Sequence, residues 1–183
     1  IILASNRPDL IDPAVLRPGR IDRKIKVARP SREAAVEILA VYLTPSLPLD
    51  CELLEQNGQD HEAARRAVIE QVVDSLFTRT DQNRVLSIRL RNGQNNVLYR
   101  GDLGSGAILS SIVQRAKEKA IERAVAGAGA PAGDGIRAQD LLDAVHEEYR
   151  EGEMLPPDDA AEEWLKLLDH HPEQVVGVSS FRR

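Results

Sequence analysis

The sequence predicts a mostly helical protein that opens on a small α/β remnant and carries an inserted β-hairpin. Three observations carry that prediction. The hydrophobic fraction is 42% but the aromatic fraction only 3%, so Leu, Ile, Val and Ala must build the core, a composition that suits helices. Apolar residues recur at helical spacing over several long stretches, whereas one stretch alternates with period two around Asn92-Gly93. The chain also starts on an unbroken apolar run, Ile1-Ile2-Leu3-Ala4, closed by Ser5-Asn6-Arg7-Pro8. That is the form of a short strand buried in a parallel sheet.

The elements follow in order. Ile1 to Ala4 is too short for periodicity to separate a strand from another buried segment, but its length and the breakers behind it favour the strand. Arg7 to Arg23 reads as a loop rich in Pro and Gly, with room for one helical turn around Pro13 to Leu16, and Ile25-Lys26-Val27 as a second short strand. Pro30-Ser31 opens a helix with Ser31 as N-cap and Glu33 in its first turn. Ala35, Ile38, Leu39 and Tyr42 form its apolar face, and Pro45 and Pro48 end it. From Asp60 to Thr78, Ala64, Val68, Val72 and Leu76 make one lane and Ile69, Val73 and Phe77 the adjacent lane of a longer helix. Leu86, Ile88 and Leu90 alternate with polar residues, Asn92-Gly93 turns the chain, and Val97-Leu98-Tyr99 returns it as a hairpin.

Gly104 or Ser105 opens the next helix, with Ile108, Ile112, Ala116, Ala120 and Ala124 on one lane. Gly127 to Gly135 has linker composition. Arg137 to Arg150 is helical, with Leu141, Leu142, Val145 and Tyr149 on one side, until Pro156-Pro157. Asp158 to Leu168 is a last short helix that Trp164 would anchor, and Gln174 to Arg183 carries no clear pattern. There is no internal repeat.

Bulk properties narrow the function classes. The 183 residues suffice for one or two domains. A net charge of -5 weighs against non-specific nucleic-acid binding, although it leaves room for a local basic patch. Cys51 is the single cysteine, which suits a reducing, cytoplasmic setting; no basic neighbours activate it. No apolar run is long enough to span a membrane, and no signal-peptide pattern is present. The abrupt apolar start, without an initiator Met, reads as a strand entered from an upstream segment. His170-His171 lacks a second ligand pair at workable spacing, so no metal site is expected.

The chemistry concentrates in Ile1 to Arg23. Asn6 stands at the C-terminal end of the expected strand, where ligands of open parallel sheets bind. There it can orient a water near a terminal phosphate. Arg17 and Arg20 flank Pro18-Gly19, a turn that aims two guanidinium groups outward. Guanidinium is planar, permanently charged and forks onto oxygens, which suits the charge of a transferring phosphoryl group. Each residue has a plainer reading: an Asn after a strand is commonly a turn residue, and loop arginines are commonly solvated or cap a helix C-terminus.

The stretch IILASNRPDLIDPAVLRPGRIDR resembles the second region of homology of AAA ATPases. In that resemblance Asn6 matches the sensor-1 asparagine. Arg17 and Arg20 match the paired arginine fingers that enter the adjacent subunit's nucleotide site, and Asp9, Asp12 and Pro13 the spacer. The family continues into a helical lid. Tyr42 falls where its first helix carries a His or aromatic residue near the adenine, although core packing would explain Tyr42 equally well. Gly106-Ala107 matches the small pair that opens the lid helix on base and ribose, although it can also simply start a helix. No sensor-2 arginine is assigned.

Residues 56 to 101 are longer than the usual lid link, and the added helix and hairpin, with Asp81-Gln82-Asn83-Arg84, resemble the actinobacterial proteasomal ATPases, or ATPases forming ring-shaped complexes, of the mycobacterial proteasomal ATPase type. The resemblance implies the end of an AAA+ parallel-sheet domain at 1–30, a helical lid with a helix and hairpin insertion at 31–150, and a C-terminal helix and tail at 151–183. It also implies a hexameric ring of identical subunits, an unfoldase that delivers clients tagged with prokaryotic ubiquitin-like protein to the 20S proteasome, and ATP with Mg²⁺ as cofactors of the complete parent. This sequence holds no GxxxxGK[ST] loop and no acidic Mg²⁺-binding strand motif, so on its own it is expected to bind ATP poorly and to be inactive. The parent's tag-binding coiled coil and oligosaccharide-binding-fold rings are not in it either. It ends Ser180-Phe181-Arg182-Arg183 rather than on the family's proteasome-docking Gly-Gln-Tyr-Leu, so docking is not assigned to these residues. Two other readings stay open: another AAA remodelling ATPase, and a lid-derived docking module with no part in ATP turnover. The hairpin arginines Arg84, Arg89, Arg91 and Arg100 fit a solvated face or a partner surface.

Overall fold

A computed structural model describes residues 2–5, 11–15, 17, 19–21, 23–127, 135–151 and 175–181. The helical body begins at α1 (Arg32–Tyr42). Ser31, in extended backbone, caps it by accepting from the Ala34 amide at 3.2 Å. Its buried register is Ala35, Leu39 and then Leu43 just past its end. Arg65 reaches across to donate to the Ala40 and Leu43 carbonyls, both at 3.2 Å, satisfying groups that the helix end leaves open.

A short helix not expected from the sequence, α2 (Cys51–Gln56), is capped by Asp50, which accepts from the Glu52 amide. Asp60 caps α3 (His61–Phe77) through the Glu62 and Ala63 amides. Ala64, Val68, Val72 and Leu76, with Ile69 and Val73, are buried along α3 as the two predicted lanes. Asn83, buried in a 3₁₀ turn (Asp81–Asn83), closes the far end of α3 by donating to the Ser75 and Thr78 carbonyls at 2.8 and 2.6 Å. The core is completed by α5 (Gly106–Ala126) and α6 (Ala138–Glu151), which contribute Leu109, Ile112, Val113, Ala116, Leu141, Ala144 and Val145. Leu49 pairs with Ile136 as an isolated parallel bridge, tying the entry of α2 to the entry of α6.

The hairpin forms as β1 (Arg84–Leu90) and β2 (Asn95–Tyr99). Gly93 takes a φ of +84°, which only glycine adopts cheaply, and Asn92 accepts from the Gln94 amide inside the same turn. A third strand, β3 (Val175–Ser180), lies antiparallel on the other side of β1, so the order is β2-β1-β3. Leu86 faces Leu98 and Ser180, and Ile88 faces Asn96 and Val178; both central residues are fully buried. A four-residue helix, α4 (Arg100–Leu103), links β2 to α5.

Three expectations are corrected. Ile2 to Ser5 and Ile25 to Val27 are not strands. Ile25 and Val27 are 85% and 91% exposed, because a strand needs a ladder partner and no described residue supplies one. Of the small α/β remnant, the described residues 2–5 and 25–27 are therefore extended chain and form no parallel sheet among themselves. Around Pro13 the chain makes a single turn, with the Val15 amide on the Asp12 carbonyl and the Ala14 amide on its side chain, rather than a helical turn. Ile1, Asn6, Asp9, residues 128–134, the expected helix at 158–168 with Trp164, and His170-His171 lie outside the described residues.

Candidate functional site

The loop carrying the two arginines is built on local bonds. The Arg17 carbonyl accepts from the Arg20 amide at 3.1 Å, and Gly19 at φ +86° closes the turn. Both side chains are exposed. Arg20 Nη1 donates to the Ala14 carbonyl at 3.2 Å, which fixes it against the preceding turn; among the described residues nothing pairs with the Arg17 guanidinium. Asn6 lies outside the described residues, so its geometry relative to the arginines is not defined.

The lid side of the candidate site is the start of α5. Ser105 caps this 21-residue helix by accepting from the Ile108 amide at 3.2 Å. The Gly106 and Ala107 amides belong to the first turn, whose N–H groups have no partner within the helix. Ala107 is exposed, and the space where a Gly106 side chain would stand is open. A ligand can therefore approach this backbone closely, and a small residue keeps the way clear. Tyr42, the last residue of α1, is 37% exposed. It stands outside the core register of Ala35, Leu39 and Leu43, so of its two readings core packing is the weaker. α1 and α5 pack against each other. These features leave the first-turn amides of α5 open to an approaching ligand.

Sequence reasoning missed what holds the turn before α5. The Tyr99 amide donates to the Asp102 carboxylate at 2.9 Å, so Asp102 reaches back over the start of α4. Arg79 lies over the Tyr99 ring and pairs with Asp102 at 3.4 Å. Tyr149 donates to the Arg100 carbonyl at 2.8 Å, and the Arg100 guanidinium covers its ring and meets His146 Nδ1 at 3.1 Å. Burial pushes the Tyr149 phenol well above its ordinary value and pulls the Arg100 guanidinium down. Arg84 pairs with Asp81 and covers Phe181. Of the four hairpin arginines, only Arg89 and Arg91 thus keep the character of a solvated face. Arg29 also received no role, yet its Nη1 donates to the Leu103 carbonyl at 2.6 Å and so joins the arginine-loop segment to the α4–α5 turn.

Among the described residues no group of three or more His, Cys, Asp and Glu is placed to hold a metal ion, and no helix is long and apolar enough to cross a membrane.

Residues 30–183 match the family model described as the ARC, AAA+ ATPase lid domain. The chain belongs to the ARC AAA+ ATPase lid-domain family. The match begins at Pro30, directly before the Ser31 cap of α1, and takes in both the hairpin and β3. The chain is also similar to curated proteins named proteasome-associated ATPase. It is 44% identical to that of Acidimicrobium ferrooxidans over 96% of this chain and 30% of the relative. It is 43% identical to that of Mycobacterium avium over 97% of this chain and 29% of the relative. The Streptomyces griseus protein is 43% identical over 97% of this chain and 30% of its own length. Such coverage carries the similarity into the arginine-loop segment ahead of the lid. The chain spans about three-tenths of the length of these relatives.

Proposed function

We propose that this chain is part of a hexameric, ATP-driven protein unfoldase that feeds tagged proteins to a 20S proteasome. In this reading residues 1–30 end the AAA+ α/β domain and supply sensor 1 (Asn6) and the trans arginine fingers (Arg17, Arg20). Residues 31–150 form the lid, whose Gly106, Ala107 and Tyr42 border the nucleotide. Residues 151–183 form the C-terminal region, whose strand β3 is joined to the lid's hairpin. The observation that carries the reading is the ARC lid match together with relatives whose printed name is proteasome-associated ATPase. Two exposed guanidinium groups on a tight loop outside the lid core support the finger assignment.

ATP and Mg²⁺ are cofactors of the complete ring. When bound there, the nucleotide supplies the phosphoryl group whose developing charge Arg17 and Arg20 stabilise in the neighbouring subunit, an effect of several powers of ten in rate. This chain's own contribution is to cover the base and ribose, to sense, and to reach across; it does not turn over ATP alone. The partners are identical subunits, the proteasome core and clients carrying prokaryotic ubiquitin-like protein, and the setting is the cytoplasm.

A mixing experiment on the full-length protein tests the core of this. One variant carries Arg17→Ala and Arg20→Ala, the other a disabled phosphate-binding loop, and each is inactive alone. Recovery of ATP hydrolysis on mixing is the expected result. Full activity of the double arginine variant by itself would instead favour a lid-derived docking module.

A further inference from the structure

We infer that Arg29 is a positioning residue that sets the finger loop relative to the lid; the inference rests on the reading of Arg17 and Arg20 as trans fingers. Arg29 Nη1 donates to the Leu103 carbonyl at 2.6 Å across 74 positions of sequence. That carbonyl belongs to the last turn of α4, where a helix leaves carbonyls without internal partners.

The acceptor is rigidly held. The Gly101 Cα faces the Phe77 ring so closely that an added Cβ would stand 2.8 Å from it. The bond from the Tyr99 amide to Asp102 and the bond from Tyr149 to the Arg100 carbonyl fix the same four residues to the hairpin and to α6. Three positions beyond Leu103 the α5 backbone opens at Gly106.

The donor sits where the chain leaves the lid. Pro30 and the Ser31 cap anchor the residues after it. Ile25 and Val27 before it are exposed, so apolar packing does not set the direction of this segment. The guanidinium of Arg29 and the fixed φ of Pro30 set its lid end. A lid that shifts with its own nucleotide therefore shifts the loop that completes the neighbour's site.

The test uses the complete, ring-assembled ATPase. Arg29→Ala lowers kcat for ATP hydrolysis about tenfold, the order expected for one charge-assisted hydrogen bond of coupling. Affinity for a fluorescent ADP analogue stays at the wild-type value, because the lid core and the α5 N-terminus are untouched, and Tm falls by only about 2–4 °C, the shift one lost hydrogen bond gives. Arg29→Lys recovers most of the loss, since an ammonium also donates to a carbonyl. Mixing Arg29→Ala subunits with subunits disabled in the phosphate-binding loop raises turnover, because the latter supply well-placed fingers. An unchanged kcat overturns the inference. So does a parallel fall in kcat, nucleotide affinity and Tm without recovery on mixing, which marks a residue that merely holds the lid together. Should Arg29→Ala fail to assemble, Arg29→Gln is read by the same criteria. Failure of the finger reading itself shows separately, as an active Arg17→Ala/Arg20→Ala ring.

Discussion

The ion pair between Arg123 on α5 and Asp140 on α6 is the most exposed to a quantitative test. Arg123 meets Asp140 with two parallel bonds, at 2.7 and 2.8 Å, and also donates to the Gly135 carbonyl at 2.8 Å. The carboxylate side chain is 9% exposed and also accepts from the Arg137 amide at 2.9 Å. Burial alone would push the Asp140 carboxyl up, but the Arg123 bonds and the Arg137 amide outweigh it and hold the group below its ordinary value. Arg123→Ala strands that charge. Removing one partner of a buried pair costs about 3–5 kcal/mol. The lower end, about 3 kcal/mol, applies here because the Arg137 amide still serves one oxygen and the Arg123 side chain is 29% exposed. For a chain of this size that lowers Tm by about 6–12 °C. A depressed folded-state pKa contributes stability above the unfolded value and loses it as pH falls through the folded value. In the variant, burial is less opposed and the carboxyl rises. The gap between wild type and Arg123→Ala is therefore full near neutrality and narrows below about pH 4. Urea unfolding of the 183-residue chain at several pH values measures both. A loss under about 0.5 kcal/mol at neutral pH, or a gap that stays constant into acid, would refute the reasoning.

Asn83→Ala removes both side-chain bonds that close α3; the Thr80 amide still serves the Thr78 carbonyl but the bond to the Ser75 carbonyl is lost outright, for a loss of about 1 kcal/mol in chemical denaturation. Gly135→Ala drives a Cβ into the Leu49–Asp50 backbone, so the Leu49–Ile136 bridge must open, and amide exchange at Asp50 and Ile136 accelerates while the α3 core stays protected. Deleting residues 175–183 strips one side of β1 and exposes a strand edge beside Leu86 and Ile88, so the truncated chain gains concentration-dependent association in sedimentation velocity. Arg17→Ala with Arg20→Ala leaves Tm within about 1 °C, since both side chains are exposed, while ring turnover is lost.

What was legible in the sequence is what local chemistry decides. Ser31, Asp60 and Ser105 announce helix starts because a cap needs only the amides two or three residues on. The α3 lanes repeat often enough for their period to be unambiguous. Cys51–Gln56 and Arg100–Leu103 are shorter than the window in which a period can be recognised. β3 has a Gly in its middle and finds its partner far upstream, at Leu86 to Leu90, which no local pattern encodes. Tyr42 looked core-facing from Ile38 and Leu39, but the buried register steps by four from Ala35 to Leu39 to Leu43 and leaves it on the surface. At the candidate site the arginine loop was readable as a motif, whereas Arg29 was not, since its partner is a backbone carbonyl and has no residue signature.

The position of the α5 N-terminus depends on how α5 is registered against α6, and its apolar lane is poorly suited to decide that. Ala116 and Ala120 follow Ile112 along the buried face, and small side chains slide past a neighbouring helix with little penalty. The adjacent polar lane has the same spacing of four and is far more selective. Ser111 and Arg115 both reach Glu148, Lys119 reaches Glu147, and Arg123 reaches Asp140, so ascending positions on α5 meet descending ones on α6. The two outer, partly exposed pairs, Arg115–Glu148 and Lys119–Glu147, contribute little stability each. Their value is in register at the far end: a one-turn slip can hand Glu147 and Glu148 to the next basic residue, but it brings Gly127 opposite Asp140 and leaves that carboxylate buried without its arginine. The charges at the far end of α5 thereby fix where its first turn, Gly106 and Ala107, stands.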